Sequence, residues 1–339
     1  MELIPHSRPW IGPTEIDAVS SQLRSLQLAH GALNQTFAAE LGRYLGVNSC
    51  VTANSGTQAL VKAIGALHLT RGAKVLIPAY VCRQVKDAVL AAGCEPVIAD
   101  VNDIGVLDPT TVEMAAPEGI RAVIAVHVLG HPCDIEGIGT IELPVIEDAC
   151  QALGLRIGDR MAGSIGTVGV FSMHATKCIS SGEGGAVVTS NKDVANNLAA
   201  TAQALNSPPW AGNLSDIGAS LALSQLRRYQ SFVTRRKEID IFYREAAMTL
   251  GLEVGGPAER DFLFRFTVRL QSGLEQTLER LWNAGICARR GIDSILKGDR
   301  PTPQANELLA TTLSLPFHPS LSDSEVERVA DALRLVKHA

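Results

Sequence analysis

Lys177 closes the segment Phe171-Ser172-Met173-His174-Ala175-Thr176-Lys177, and the small-residue run Ser180-Ser181-Gly182-Glu183-Gly184-Gly185 follows it. Upstream stands an apolar stretch ending in acids, Val145-Ile146-Glu147-Asp148, then Ala149-Cys150-Gln151. A primary amine in a tight loop condenses with an aldehyde, and a carboxylate at a strand end holds the proton of a pyridinium nitrogen. The two in this order suit pyridoxal phosphate (PLP), with Lys177 as the Schiff-base lysine and Asp148 as the partner of the ring nitrogen. Each also has a plainer reading, Lys177 as a surface charge and Asp148 as a strand-end acid or helix cap. Gln151 is either a donor to the ring hydroxyl or a surface helix residue.

The phosphate of such a cofactor needs its own holder. Asn54-Ser55-Gly56-Thr57 lies between a short strand and a helix. The first N–H groups of that helix are unpaired and its dipole favours an anion. Gly56 admits a phosphate and Thr57 adds a hydroxyl, although Ser and Thr are also ordinary N-caps.

Short apolar runs alternate with helical stretches from about residue 49 to 190. The candidate strands are Cys50–Ala53, Val75–Pro78, Pro96–Asp100, Ala122–Leu129, Pro144–Glu147, Gly169–Met173 and Ala186–Thr189, with helices at Gln58–Leu69 and Gln84–Ala92. Val/Ile-rich runs without polar alternation fit strands covered on both faces, hence an α/β sheet that is mostly parallel. Ligands in such sheets sit beyond the carboxyl ends of strands, where Asp148 and Lys177 fall. Helix is expected over Asp193–Leu205 and, after a break at Ser207–Gly212, from Leu214 to Leu250. Gly251 and Gly255-Gly256-Pro257 mark a boundary, dividing the chain into a large domain (1–250) and a smaller α+β domain (251–339). Within the latter, Phe262–Leu270 reads as a strand and Leu274–Ala284 as a helix stopped by Gly285. Ser322-x-x-Glu325 reads as a capping box.

With 339 residues the chain is long enough for about two domains, and 46% apolar and 19% charged residues mark a globular protein. A formal charge of −5 gives no general attraction to nucleic acid or to an anionic membrane. The N-terminus lacks a basic stretch followed by an apolar one, and no apolar run spans a bilayer. Seven scattered cysteines without a Cys-x-x-Cys pair indicate reduced thiols in a cytoplasmic protein, with neither a zinc site nor a disulfide framework.

Five motifs occur in one order: Ser55-Gly56-Thr57-x-Ala59-Leu60, Pro78-Ala79-Tyr80, Ile146-Glu147-Asp148-Ala149-x-Gln151, Phe171-Ser172-x4-Lys177 and Gly182-Glu183-Gly184-Gly185. Together they resemble the DegT/DnrJ/StrS family of sugar aminotransferases over nearly the whole chain, from Pro9 to the segment Leu315-Pro316-Phe317-His318-Pro319. The resemblance implies a fold-type I PLP enzyme and a homodimer. It makes Lys177 the Schiff-base lysine, Asp148 the pyridinium partner and Gln151 the neighbour of the ring hydroxyl. Gly56, Thr57 and Ser172 become the phosphate contacts, and Ser55 joins the cofactor-binding set. Asn213, in Gly212-Asn213-Leu214-Ser215-Asp216-Ile217, matches an asparagine that reaches the partner's phosphate, so each site would be built from two chains. Its alternative is a helix N-cap.

The Ser172-x-His174-x-x-Lys177 form and the Asn213-Leu214-Ser215-Asp216-Ile217 start of a helix are closest to the branch of UDP-4-amino-4-deoxy-arabinose aminotransferases. That implies glutamate as amino donor and a UDP-4-keto sugar as acceptor. His174 then faces the sugar or phosphate, or is simply packed beside the site. The related sugar dehydratases carry histidine at the position of Lys177, which argues against dehydration. A keto-cyclitol acceptor and a non-catalytic regulatory homologue remain as alternatives. The chain also departs from the family. Cys82 stands where an aromatic usually stacks on the ring, with Tyr80 nearby as a candidate substitute. Cys178 replaces a common asparagine. The stretches 206–212 and 291–303, where the family meets the nucleotide, are short.

Overall fold

A computed structural model describes residues 2–203, 212–256, 262 and 264–337. Seven strands form the main sheet: β1 (Ser49–Ala53), β2 (Lys74–Pro78), β3 (Glu95–Ala99), β4 (Ile120–Val126), β5 (Val145–Asp148), β6 (Val168–Ser172) and β7 (Gly185–Thr189). Their order is β1-β7-β6-β5-β4-β2-β3. All neighbours are parallel except β7, which runs antiparallel to both β1 and β6. The β5 and β7 residues are all buried, which explains their unbroken apolar character.

Because β7 is reversed between them, β1 and β6 point the same way as β5. The turn after β1, Asp148 and the loop after β6 therefore share one edge of the sheet. Gly185, the first residue of β7, pairs with Ala53 on one side and Ser172 on the other. A Cβ at Gly185 would run into the Ser55 carbonyl, so glycine here lets the turn after β1 close onto the sheet.

The expected strands are present with ends shifted by a residue or two, but the Ala122–Leu129 run stops at Val126. Leu129 turns into the left-handed region (φ 58°), held by a hydrogen bond from its N–H to the Gln151 side chain (2.7 Å). The helix expected over Leu214–Leu250 is two helices, Asp216–Arg227 and Tyr229–Thr249. They part at Arg228 (φ −108°, ψ 13°). Its guanidinium bonds both Glu15 carboxylate oxygens and the Trp10 carbonyl, and it stacks between the Trp10 and Phe232 rings at 5.0 and 4.5 Å. These N-terminal contacts outweigh the propensity that would carry the helix through. The first helix is capped by Ser215, whose Oγ accepts from Gly218 N–H. Asn213 thus precedes the helix and is not its N-cap.

The helix expected over Asp193–Leu205 runs from Lys192 to Gln203. Residues 204–211, which hold most of the expected break and of the 206–212 stretch, lie outside the described residues, as do Pro257 and the start of the region after it.

A second, four-stranded antiparallel sheet lies in the C-terminal part, from Glu253–Val254, Phe266–Arg269, Thr312–Leu315 and Arg289–Arg290. The strand read at Phe262–Leu270 is confined to Phe266–Arg269; Phe262 and Phe264 instead join the apolar cluster of the large sheet's outer face. The small sheet's own cluster takes in Ile4 and also Ile239, Tyr243 and Ala247. The long helix Tyr229–Thr249 thereby reaches from one core into the other. The Ser322 capping box forms with Glu325 as expected. Among the described residues no helix is long and apolar enough to cross a membrane, and no cluster of His, Cys, Asp and Glu could hold a metal.

Candidate active site

The turn after β1 leads into the helix Gly56–Ala66. Ser55 caps it, accepting from Gln58 N–H at 3.2 Å. Gly56 and Thr57 open the helix, so their N–H groups have no intrahelical partner. A Cβ at Gly56 would lie 2.8 Å from Ser172 Cβ and 3.0 Å from Ser172 Oγ. The two sequence-distant phosphate candidates are thus in contact across a gap only glycine allows, at the positive end of a helix dipole. This cradle and the acid beside it fit PLP. Gly56→Ala is expected to push Ser172 aside and loosen PLP roughly tenfold or more, the scale of overpacking by one methyl. Equilibrium dialysis against PLP measures it, and unchanged affinity would remove Gly56 from the cradle.

Asp148 ends β5 and is 5% exposed, with its Oδ1 accepting from Cys150 N–H at 3.0 Å. Beneath it Glu147 and His127 form a pair at 2.9 Å with both side chains fully buried. His127 Nδ1 accepts from Cys133 N–H, so Nε2 carries the proton that it donates to Glu147. Glu147 also accepts from the N–H groups of Gly163, Ile165 and Gly166. Burial alone would raise its pKa. His127 and these backbone donors outweigh burial and hold it below the ordinary range. The pair anchors the strand end that carries Asp148, and nothing in the sequence pattern singled it out.

The Lys177 loop is closed like a hairpin. Met173 N–H reaches Gly184 O, Ala175 N–H reaches Gly182 O and Ser181 N–H reaches Met173 O. The glycine run serves this closure, with Gly182 at φ 80°. Lys177 is half-buried, and its Nζ stands 5.7 Å from the centroid of Phe264. His174 is tied within the same loop, by Nδ1 to Thr176 Oγ1 at 2.9 Å and by Nε2 to Glu183 at 3.5 Å.

Two thiols register the charges of this group. Cys150 lies 3.5 Å from where a Gly56 Cβ would be. Burial pushes it well above the usual thiol range, Asp148 adding to the rise and Lys177 opposing it. Cys82 is exposed, yet the protein mass around its thiol raises it too, against Lys177 and with Asp148. Cys82 stands just before the helix Arg83–Ala91, as its N-cap residue. Tyr80 is 1% exposed, packs against Gly105 and directs its hydroxyl at Gly291 and Thr312. Its ring is consumed by the core, and it leaves the candidate cofactor set.

Gln151 spends its Oε1 on Leu129 N–H, which orients the amide so that its nitrogen is the remaining donor. Asn213 follows Gly212, whose carbonyl accepts from Asn54 N–H at 3.1 Å beside the phosphate turn. The Asn213 Oδ1 accepts from Lys62 Nζ at 2.8 Å, and Lys62 also donates to Thr52 O at 2.9 Å. Burial lowers Lys62 to about 8. Asn213 lines a cleft of about 440 Å³ beside the edge strand β1, with His30, Asn34, Arg43 and Thr52. Sequence reasoning missed Phe264, Cys150 and the His127–Glu147 pair.

A lysine loop, a strand-end acid and a glycine-opened helix converge on one edge of this sheet. They define a fold-type I α/β transferase. The chain belongs to the DegT/DnrJ/EryC1/StrS aminotransferase family, whose model it matches over residues 9–334, and is an aminotransferase. The spore coat polysaccharide biosynthesis protein SpsC of Bacillus subtilis (strain 168) is 29% identical over 380 aligned residues, covering 99% of this chain and 98% of that protein. The structure of DesI with its TDP-sugar product superposes with a TM-score of 0.89 at 28% identity, over 99% of this chain and 93% of DesI. PseC of Helicobacter pylori, an aminotransferase involved in pseudoaminic acid biosynthesis, shares the fold with a TM-score of 0.93 at 22% identity over the full length of both.

Proposed function

We propose that this sugar aminotransferase uses PLP to move an amino group from glutamate to a keto nucleotide sugar, a UDP-4-keto sugar in particular. The observation that carries the reading is that the Lys177 loop, Asp148 and the Gly56–Ser172 contact fall at one edge of the sheet. The family's aminotransferases are PLP-dependent, and DesI holds a TDP-sugar product, which supports a nucleotide sugar as acceptor.

Gly56 and Thr57 N–H groups with the Ser172 hydroxyl would hold the cofactor's phosphate. Asp148 would keep a proton on its ring nitrogen, and Gln151 would donate to its ring hydroxyl. Bound there, PLP supplies an aldehyde that takes up the donor's nitrogen and a ring that accepts an electron pair. The Lys177 amine would take the proton from the donor's α-carbon in the first half of the reaction and, in the second, would deliver one to the sugar carbon that gains the nitrogen. Lysine rather than histidine at 177 favours amination over dehydration. A panel of 4-keto and 3-keto nucleotide sugars with glutamate tests the assignment. Amino-sugar and 2-oxoglutarate formation in equal amounts with a UDP-4-keto sugar is expected. Loss of water from the sugar without 2-oxoglutarate would favour a dehydratase.

The reading includes a homodimer with shared sites, in which Asn213 serves the partner's phosphate. Its Lys62 contact leaves the amide nitrogen as a donor at the sheet edge. Mixing inactive Lys177→Ala chains with inactive Asn213→Asp chains separates the alternatives. If sites are shared, a heterodimer collects both lesions in one site and leaves the other intact, so activity returns. No recovery in heterodimers confirmed by mass would place Asn213 on its own chain's cofactor.

A further inference from the structure

His127 follows β4 and holds the end of β5 twice. Its backbone N–H donates to the Asp148 carbonyl at 3.1 Å, and its Nε2 donates to Glu147 at 2.9 Å. Cys133 N–H fixes the imidazole from the other side, donating to Nδ1 at 3.0 Å. Both side chains of the pair are fully buried. A buried carboxylate is costly unless its oxygens are met, and four donors converge on Glu147.

The turn that His127 opens reaches the site at two further points. Leu129 sits in the left-handed region (φ 58°, ψ 9°), an outlier for a bulky residue, with its N–H on Gln151 Oε1 at 2.7 Å. Gly130 follows at φ 85°. A Cβ there would lie 3.0 Å from both N and Cβ of Phe264, whose ring centroid is 5.7 Å from Lys177 Nζ. Val128 and Leu129 are buried, so close packing resists a shift of the turn. Backbone strain held in such a place is a pointer to function.

We propose that His127 is a positioning residue for the cofactor's ring. Through Glu147 it places Asp148, and through its turn it places Gln151, so one element sets the contacts to the ring nitrogen and to the ring hydroxyl. The inference rests on Asp148 and Gln151 holding the ring, as proposed above, and adds what keeps the two in register. Asp148 ends β5, whereas Gln151 lies beyond it, in the turn closed by Ala152 N–H on Ala149 O at 2.9 Å. The His127 turn bonds to both sides of that step.

Two substitutions divide the imidazole's bonds. In His127→Asn the amide oxygen replaces Nδ1 and keeps Cys133 N–H, but the side chain no longer reaches Glu147. In His127→Gln the amide nitrogen replaces Nε2 and keeps Glu147. Equilibrium dialysis is expected to show PLP bound about tenfold more weakly by His127→Asn than by wild type, the scale of one misplaced hydrogen bond. Inorganic phosphate, which reads the Gly56–Ser172 cradle alone, should bind all three proteins equally. The pH at which the visible absorbance of bound PLP changes should rise by about one unit in His127→Asn and stay near wild type in His127→Gln. A ring nitrogen that loses its proton takes a positive charge away from the nitrogen through which Lys177 holds the cofactor, so that nitrogen stays protonated to higher pH. The Lys177 amine and the thiols of Cys82 and Cys150, which titrate in the same surroundings as Asp148, are the same in all three proteins.

If the asparagine variant does not fold, wild type carries the test by proton NMR. The buried Nε2 proton of His127 is expected to give a downfield resonance, assigned by its absence from His127→Gln. It should move when PLP is added to PLP-free enzyme and stay still when inorganic phosphate is added. A midpoint unchanged in His127→Asn would overturn the proposal, as would equal loss of PLP and phosphate, or a resonance indifferent to PLP. If Asp148→Asn also leaves the midpoint unmoved, the assignment of Asp148 to the ring nitrogen fails with it. A midpoint that moves for Asp148→Asn but not for His127→Asn sinks this inference alone.

Discussion

Lys177→Ala is expected to fold like the wild type and to lose at least about a thousandfold in turnover, ~4 kcal/mol of barrier. The folding half follows from position. Lys177 is half-buried in a loop whose closure rests on the backbone bonds of Met173, Ala175 and Ser181, none of which needs its side chain. The catalytic half follows from role, because the variant lacks the amine proposed to move the proton at the donor's α-carbon. The variant should still take up PLP through the Gly56–Ser172 cradle but release it on gel filtration after borohydride treatment. Circular dichroism checks the first half and steady-state kinetics the second. Turnover within tenfold of wild type would remove Lys177 from the reaction.

Asp148→Asn is expected to keep fold and cofactor attachment while losing on the order of a hundredfold or more in turnover, ~3 kcal/mol. An amide oxygen accepts from Cys150 N–H as the carboxylate does, so the strand end keeps its local bond. It does not hold a pyridinium proton, because the charge-assisted half of the interaction is gone. The His127–Glu147 pair beneath it is untouched and continues to fix β5. Near-normal turnover would leave Asp148 as a strand-end acid only.

Much of this arrangement was legible in the chain. Unbroken Val/Ile runs gave the strands because strands covered on both faces cannot alternate. Asp148 and Lys177 were recognisable because short motifs at strand ends carry their geometry locally. What stayed hidden depends on contacts far apart in sequence. The break at Arg228 comes from Glu15 and Trp10, more than two hundred residues away. Tyr80 looked like a ring partner by proximity to Cys82, but Gly105 and Gly291 take its ring and hydroxyl into the core. Phe264 reaches Lys177 only because its segment leaves the small sheet to join the large sheet's cluster. Asn213 was read at a helix start, whereas Ser215 is the cap and Lys62 claims its carbonyl.

The central claim is that Lys177 carries the cofactor in a site completed by Asp148 and the Gly56–Ser172 cradle. Borohydride reduction of the PLP-loaded wild type, followed by digestion and mass mapping, tests it most directly. The reduced cofactor is expected on the peptide containing Lys177, and on no peptide of Lys177→Ala. Attachment at another lysine, such as the half-buried Lys62 or Lys86, or an unlabelled Lys177 peptide in enzyme that aminates its sugar, would contradict it.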